Sequence, residues 1–165
     1  MLTQFGKTDA ADVAERTAKT CSLMPGALGD FESVLRLADL AVKKNGSERW
    51  ILLTKGLAEY RAGRCAVAIE WLQRVAPKAG GGSLDATALA VLAMARKRQG
   101  QAEEARTALE QARAILAHKL PKPDRGQRFG DDWHDWLRSQ ILYREAESLL
   151  GPEDKDTHPR HTKGP

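Results

Sequence analysis

A chain of 165 residues, 42% hydrophobic and 29% charged, has the size and balance of one globular domain burying roughly 70% of its unfolded surface, which excludes a wholly disordered or fibrous chain. A net charge of +4 and a pI near 9.2 permit weak attraction to nucleic acid, but bases and acids are interleaved, and the densest basic group (Arg96, Lys97, Arg98, Arg106) lacks the aromatics of a single-strand binder. Two distant cysteines outside any C-x-x-C pair, no run of about 18 apolar residues and no basic-then-apolar start argue against a disulfide framework, a zinc site, a membrane span or a secretory signal; a reducing cytoplasm is expected.

Alanine is plentiful and runs of β-branched residues are few, so the expectation is packed helices and no strand. In the first unit Ala10, Val13, Ala14, Ala18 and Cys21 share one helical face, which makes Cys21 a small core residue rather than a reactive thiol. Pro25 to Gly29 then interrupt, and Asp30 is placed to cap a helix bearing Leu35, Ala38 and Val42. The irregular turn around Pro25 predicts loose packing of this first pair.

The second unit, Ser47 to Pro77, reads as helix, turn, helix. Ser47 is a candidate N-cap, Glu48 suits the positive end of the helix dipole, and Trp50, Leu53, Leu57 and Tyr60 form one apolar stripe. After an Arg-Ala-Gly turn, Cys65, Ala68, Ile69, Leu72 and Val75 form a second, and Pro77 is a stop. The third unit repeats this order: Ser83 as cap, Leu89, Leu92 and Ala93 inward, Gly100 at the turn, then Ala105, Leu109, Ala112 and Leu116 returning. Gly29 and Gly63 are 34 residues apart (63 − 29), and Gly63 and Gly100 are 37 apart (100 − 63), with the glycine-rich stretch from Ala79 to Ser83 absorbing the difference.

Residues 118–130, rich in proline, glycine and charge, form a loop, and a helix over 131–150 starts at Asp131 or Asp132 and stops at Gly151-Pro152. Its stripe of Trp133, Trp136, Leu137, Ile141 and Leu149 is expected to pack into the core and cap the open end of the array. The tail, 151–165, has too little apolar content to order itself.

Gly56, Tyr60, Gly63, Ala68, the run AIEWLQR, and then Gly100, Ala105 and Ala112 resemble the tetratricopeptide repeat consensus of small residues, aromatics and a turn glycine, from Ala10 to about Ala117. Lys55 departs from it, standing where leucine is usual. The resemblance implies an all-α fold: antiparallel helix pairs, about three over residues 1–117, stacked as a right-handed superhelix with a C-terminal capping helix. RWILLTKGLAEYRAGR, LAMARKRQGQAEEAR and FGDDWHDWLRSQILYREAESLL together are similar to the repeat-bearing C-terminal region of planctomycete-type bacterial serine/threonine protein kinases, which implies a regulatory or scaffolding segment. The phosphate loop, the strand lysine, H-R-D and D-F-G are all missing, so no kinase chemistry is expected here.

Asp131, Asp132, His134 and Asp135 crowd together, but successive helical residues point apart, and helix-start capping explains them better than a metal site. His158 and His161 are no better as ligands, no Ser-His-Asp arrangement or G-x-S-x-G elbow occurs, and no cofactor or metal is expected. The favoured function is protein binding. By analogy with the repeat family, Trp50, Leu53, Leu57 and Tyr60, beside Met94, Lys97 and Arg98, line a concave groove for a peptide segment of acidic character; the same stripe also reads as plain core. A weak nucleic-acid-binding or metal-dependent function is the alternative, and steep salt dependence is what would mark phosphate contacts.

Overall fold

The computed structural model describes residues 1–29, 31–75, 81–122 and 130–151. Among them every regular element is helical: α1 (Leu2–Phe5), α2 (Ala11–Ser22), α3 (Glu32–Asn45), α4 (Arg49–Arg61), α5 (Cys65–Gln73), α6 (Ser83–Arg98), α7 (Ala102–Lys119), a single 3-10 turn (Gly130–Asp132) and α8 (Trp133–Leu150). None of these helices is long and apolar enough to cross a membrane.

Consecutive helices pack in twos, α2 with α3, α4 with α5 and α6 with α7, and the first helix of each pair also touches the first helix of the next. The turns inside the second and third pairs are built alike. At the end of α4 the Gly63 amide donates to the Tyr60 carbonyl (3.0 Å) and the Arg64 amide to Glu59 (2.9 Å); at the end of α6 Gly100 donates to Lys97 (3.1 Å) and Gln101 to Arg96 (3.0 Å). Both glycines have φ near +78°, at +79° and +77°. This is the C-terminal closure in which a left-handed residue lets two amides satisfy the last carbonyls, and glycine adopts it without steric cost. The first pair differs: Gly29 is not in the left-handed region, and Gly26 is, with φ +68°. The 34-residue spacing from Gly29 therefore does not join equivalent turns.

Several expected caps are corrected. Ser47 precedes a helix whose N-cap is Glu48, and Ser83 is the first residue of α6, with Gly82 as N-cap. The N-terminal closure of α6 comes from Asp85, whose carboxylate accepts the Gly82 amide at 3.0 Å. Asp131 and Asp132 fall in the 3-10 turn, and Asp132, the N-cap of α8, makes no side-chain capping hydrogen bond. The cap at Asp30, the stop at Pro77 and the tail from Pro152 lie outside the described residues.

The first pair is closed rather than loose. Ala14, Ala18, Val34, Leu37 and Ala38 form a buried cluster with Ala58 of α4, because alanines on α2 and α3 let the two backbones approach. Across the second pair, a Cβ on Gly56 would lie 2.6 Å from Leu72 Cγ, so the spacing of α4 and α5 requires glycine there. Helices α4 and α6 are central: Ile51 to Tyr60 and Leu84 to Ala95 are buried without a break. A helix enclosed on all sides has no solvent face, so it carries charge only where the charge is paired. Lys55, which departs from the repeat consensus, is such a case. Its ammonium lies between Asp39 of α3 (2.5 Å) and Glu59 one turn on (2.7 Å).

Candidate functional site

The candidate site is the face where α2, α4 and α6 meet; α8 packs on α6 and α7 and reaches α2 and α4 through side chains. Helix α8 runs the same way as α4: Asp135 and Arg138 lie beside Trp50 and Leu53, and further along Glu145 meets Arg61. A stripe of Arg138, Ser139, Leu142, Glu145 and Ala146 faces the stack, with Leu142 only 1% exposed in the cluster that holds Leu53, Leu57 and Tyr60. Ser139 and Ala146 are fully buried, and their small side chains let α8 settle close to α6.

The apolar stripe read from the sequence is not the face that packs. Trp133 is 56% exposed, Leu137 and Leu149 are exposed, and Trp136 and Ile141 are half-buried. Two tryptophans cannot enter the narrow gap between α8 and the alanine-rich α6; a leucine flanked by small residues can. Helix α8 packs on α6 and α7, and its most deeply buried apolar side chain is Leu142, not Trp133.

Arg61 anchors this closure. Its Nε donates to the Ser22 carbonyl (2.8 Å) and Nη2 to that of Leu23 (3.0 Å), at the negative end of α2, while Nη1 and Nη2 grip Glu145 in a fork, the Nη2 to Oε2 contact being 2.6 Å. One guanidinium thus joins α2, α4 and α8. At the other end of the face Glu15, buried on α2, accepts from Thr54 Oγ1 (2.6 Å) and pairs with Lys19 (2.9 Å). Arg138, paired with Asp135 one turn before it, lines the same cavity as Glu15; desolvation lowers its pKa and Glu15 opposes that shift. A polar cavity of about 700 Å³ opens here between α2, the start of α4 and the start of α8. Glu15 is a residue the sequence reading missed, although a glutamate beside Ala14 and Ala18 on an inward face was the available signal.

The seven predicted groove residues divide. Leu53, Leu57, Tyr60 and Met94 are buried in the core, whereas Trp50 is 40% exposed at the mouth of the polar cavity with the Lys19 ammonium 5.9 Å from its ring centre. Lys97 and Arg98 are exposed at the far end of α6, and the Arg98 guanidinium sits 4.6 Å from the Tyr60 ring centre. Trp50 and Tyr60 are about 15 Å apart along α4, so α8 leaves two accessible ends and a covered middle. Burial raises the Tyr60 pKa above its usual value against the opposing pull of Arg98, with Glu145 adding to the rise.

Among the described residues no three histidine, cysteine or carboxylate groups converge as metal ligands. His134 and Asp135 are 3.5 Å apart at the start of α8, with His134 half-exposed. His158 and His161 lie outside the described residues. Cys21 and Cys65 are free thiols; Cys21 packs against the first cluster, and burial raises its pKa. No protein-family model and no curated protein matches the chain.

Proposed function

We propose that this chain is a protein-interaction scaffold, a tetratricopeptide-like right-handed superhelix that works by binding rather than by catalysis. Its setting is the cytoplasm, as the non-catalytic, regulatory segment of a bacterial serine/threonine kinase system. The observation that supports it best is α8 itself. An amphipathic helix packs along α6 and reaches α2 and α4 through side chains, with Leu142 in the apolar middle and the Arg61–Glu145 ion pair at its edge. A face that holds a helix of its own chain by an apolar centre and charged edges has the chemistry of helix-in-groove recognition.

The partner engages this face by taking the place of α8. It is a helical segment with a leucine between small residues and an acidic side chain one turn on, to meet Arg61. Trp50, Lys97 and Arg98, accessible while α8 is in place, make the first contacts.

The test uses the intact chain and a fluorescent peptide covering Asp131 to Leu150. Peptide binding should strengthen at least about tenfold when Glu145→Ala and Leu142→Ala together loosen the resident helix, and Arg98→Ala or Trp50→Ala should weaken it. Binding through an apolar groove should fall little with added salt. If the peptide binds neither the wild type nor the loosened chain, the scaffold reading of this face is wrong.

A further inference from the structure

Helices α2, α4 and α6 are each followed by a helix packed along them. Among the described residues α8 has no such follower, and the place it would fill is open. Two cavities, of about 630 and 470 Å³, lie there between α7 and α8, and Arg113, Tyr143, Arg144 and Glu147 line both, so they form one continuous groove. Along α7 it extends from Arg106 to Leu120, a length of about 21 Å, which matches a helix of about four turns.

The floor is apolar, built from Leu109, Leu116 and Tyr143, and the rim is basic. Arg106, which is paired with Glu103, stands on it with Arg113, Arg144, Lys122 and two acids, Glu110 and Glu147. Of these acids, Glu147 already accepts the Tyr143 hydroxyl at 3.2 Å. Arg113 and Arg144 are exposed and form no ion pair among the described residues. A groove with leucines below and unbalanced arginines above attracts a ligand that is apolar on one side and acidic at its edges.

We propose that the α7–α8 groove docks an amphipathic helix of a partner protein whose apolar stripe is flanked by glutamate or aspartate. This surface uses the outward side chains of a seated α8, so it holds whether or not another helix can exchange for α8, and such an exchange would remove one wall of the groove. The segment 152–165 is a poor occupant, because it contains no leucine, isoleucine, valine, methionine or aromatic residue and its three acids are offset by three bases. A nucleic-acid strand would meet the arginines yet leave the leucine floor against water, with Tyr143 alone to stack on.

The probe is a fluorescent helical peptide of about 16 residues, leucines along one face and glutamates beside them, titrated against the intact chain. Two controls accompany it: a scrambled peptide whose leucines share no face, and a version with lysine for every glutamate. The expected result is micromolar binding of the acidic peptide only, weakened at least tenfold by Arg113→Glu with Arg144→Glu and unchanged by Lys43→Glu, at an exposed base on α3. Circular dichroism checks that each variant keeps its helices. Equal binding of the scrambled peptide, or indifference to the double reversal, would overturn the proposal. So would displacement of the acidic peptide by oligouridylate, a dimer in sedimentation that the double reversal dissolves, or a tenfold gain in affinity on ending the chain at Gly151.

Discussion

Tyr60 combines a ring with no solvent exposure and a hydroxyl that finds no hydrogen-bond partner among the described residues. Its ring is held by packing and by Arg98, so Tyr60→Ala should cost about 3–5 kcal/mol in fold stability. Tyr60→Phe keeps the ring and removes an unsatisfied polar group, and should be neutral or stabilising by up to about 1 kcal/mol in urea denaturation at neutral pH. The two chains should also differ with pH. The folded-state pKa of Tyr60 is raised above 10, first by burial. A group that holds its proton more tightly when folded contributes fully below the unfolded pKa and loses that contribution as pH rises through the folded value. Wild-type stability should therefore fall more steeply above pH 10 than that of Tyr60→Phe. Identical alkaline limbs would mean that the hydroxyl is not buried in solution. Lys55 makes the complementary case: Lys55→Ala would leave Glu59, 4% exposed in its side chain and with only Arg64 at 3.9 Å, as an uncompensated buried charge. The expected loss is about 3–5 kcal/mol, far above that of an exposed pair.

Helix α8 shows how much of an element a periodic pattern can reveal. Spacing of three and four, a proline-glycine loop before it and Gly151 after it were enough to place a helix at 131–150, and the observed α8 is Trp133–Leu150. Which face packs was not legible, because hydrophobicity ranks Trp133 and Leu137 above Ser139 and Ala146, whereas a close approach to α6 ranks them by size. The same limit applied to α4. Its stripe of Trp50, Leu53, Leu57 and Tyr60 was read as either groove or core, and only the placing of α8 separates the exposed Trp50 from the three residues beneath it. Turn glycines were legible at Gly63 and Gly100, where the backbone demands a positive φ, and misleading at Gly29, where it does not. Two substitutions measure the difference. Leu142→Ala should cost about 2–5 kcal/mol, because it empties a fully enclosed site, while Trp133→Ala should stay within about 0.5 kcal/mol. Thermal or urea unfolding of the two variants reads this directly, and a larger loss at Trp133 would show that the wrong face of α8 has been assigned to the interior.

At the scale of the whole molecule, pairs that touch mainly their neighbours would be expected to open from an end, one unit at a time. The buried residues of the first cluster lie on α2, α3 and Ala58, while the largest cluster runs from α4 to α8, so the apolar link between the two is α4, joined by Leu23 at the end of α2. The second link is polar and long in sequence: Arg61 ties the carbonyls at the end of α2 to Glu145, 84 residues further along the chain. That clamp makes the first pair sense the last helix. Glu145→Ala leaves Arg61 bonded to Ser22 and Leu23, so the fold should survive with a loss of about 1.5–3 kcal/mol, the range for a hydrogen bond to a charged group. The loss should not be uniform. In native-state hydrogen exchange, amides of α2 and α3 should exchange at least about tenfold faster in Glu145→Ala than in the wild type. Amides of α6 and α7, held by the Leu89, Ala93, Ala108 and Ala112 cluster, should keep nearly their original protection. Equal acceleration in every helix would show that the chain opens as one unit and that Arg61 is a local contact, whereas acceleration confined to α8 would show that the first pair is held by α4 alone.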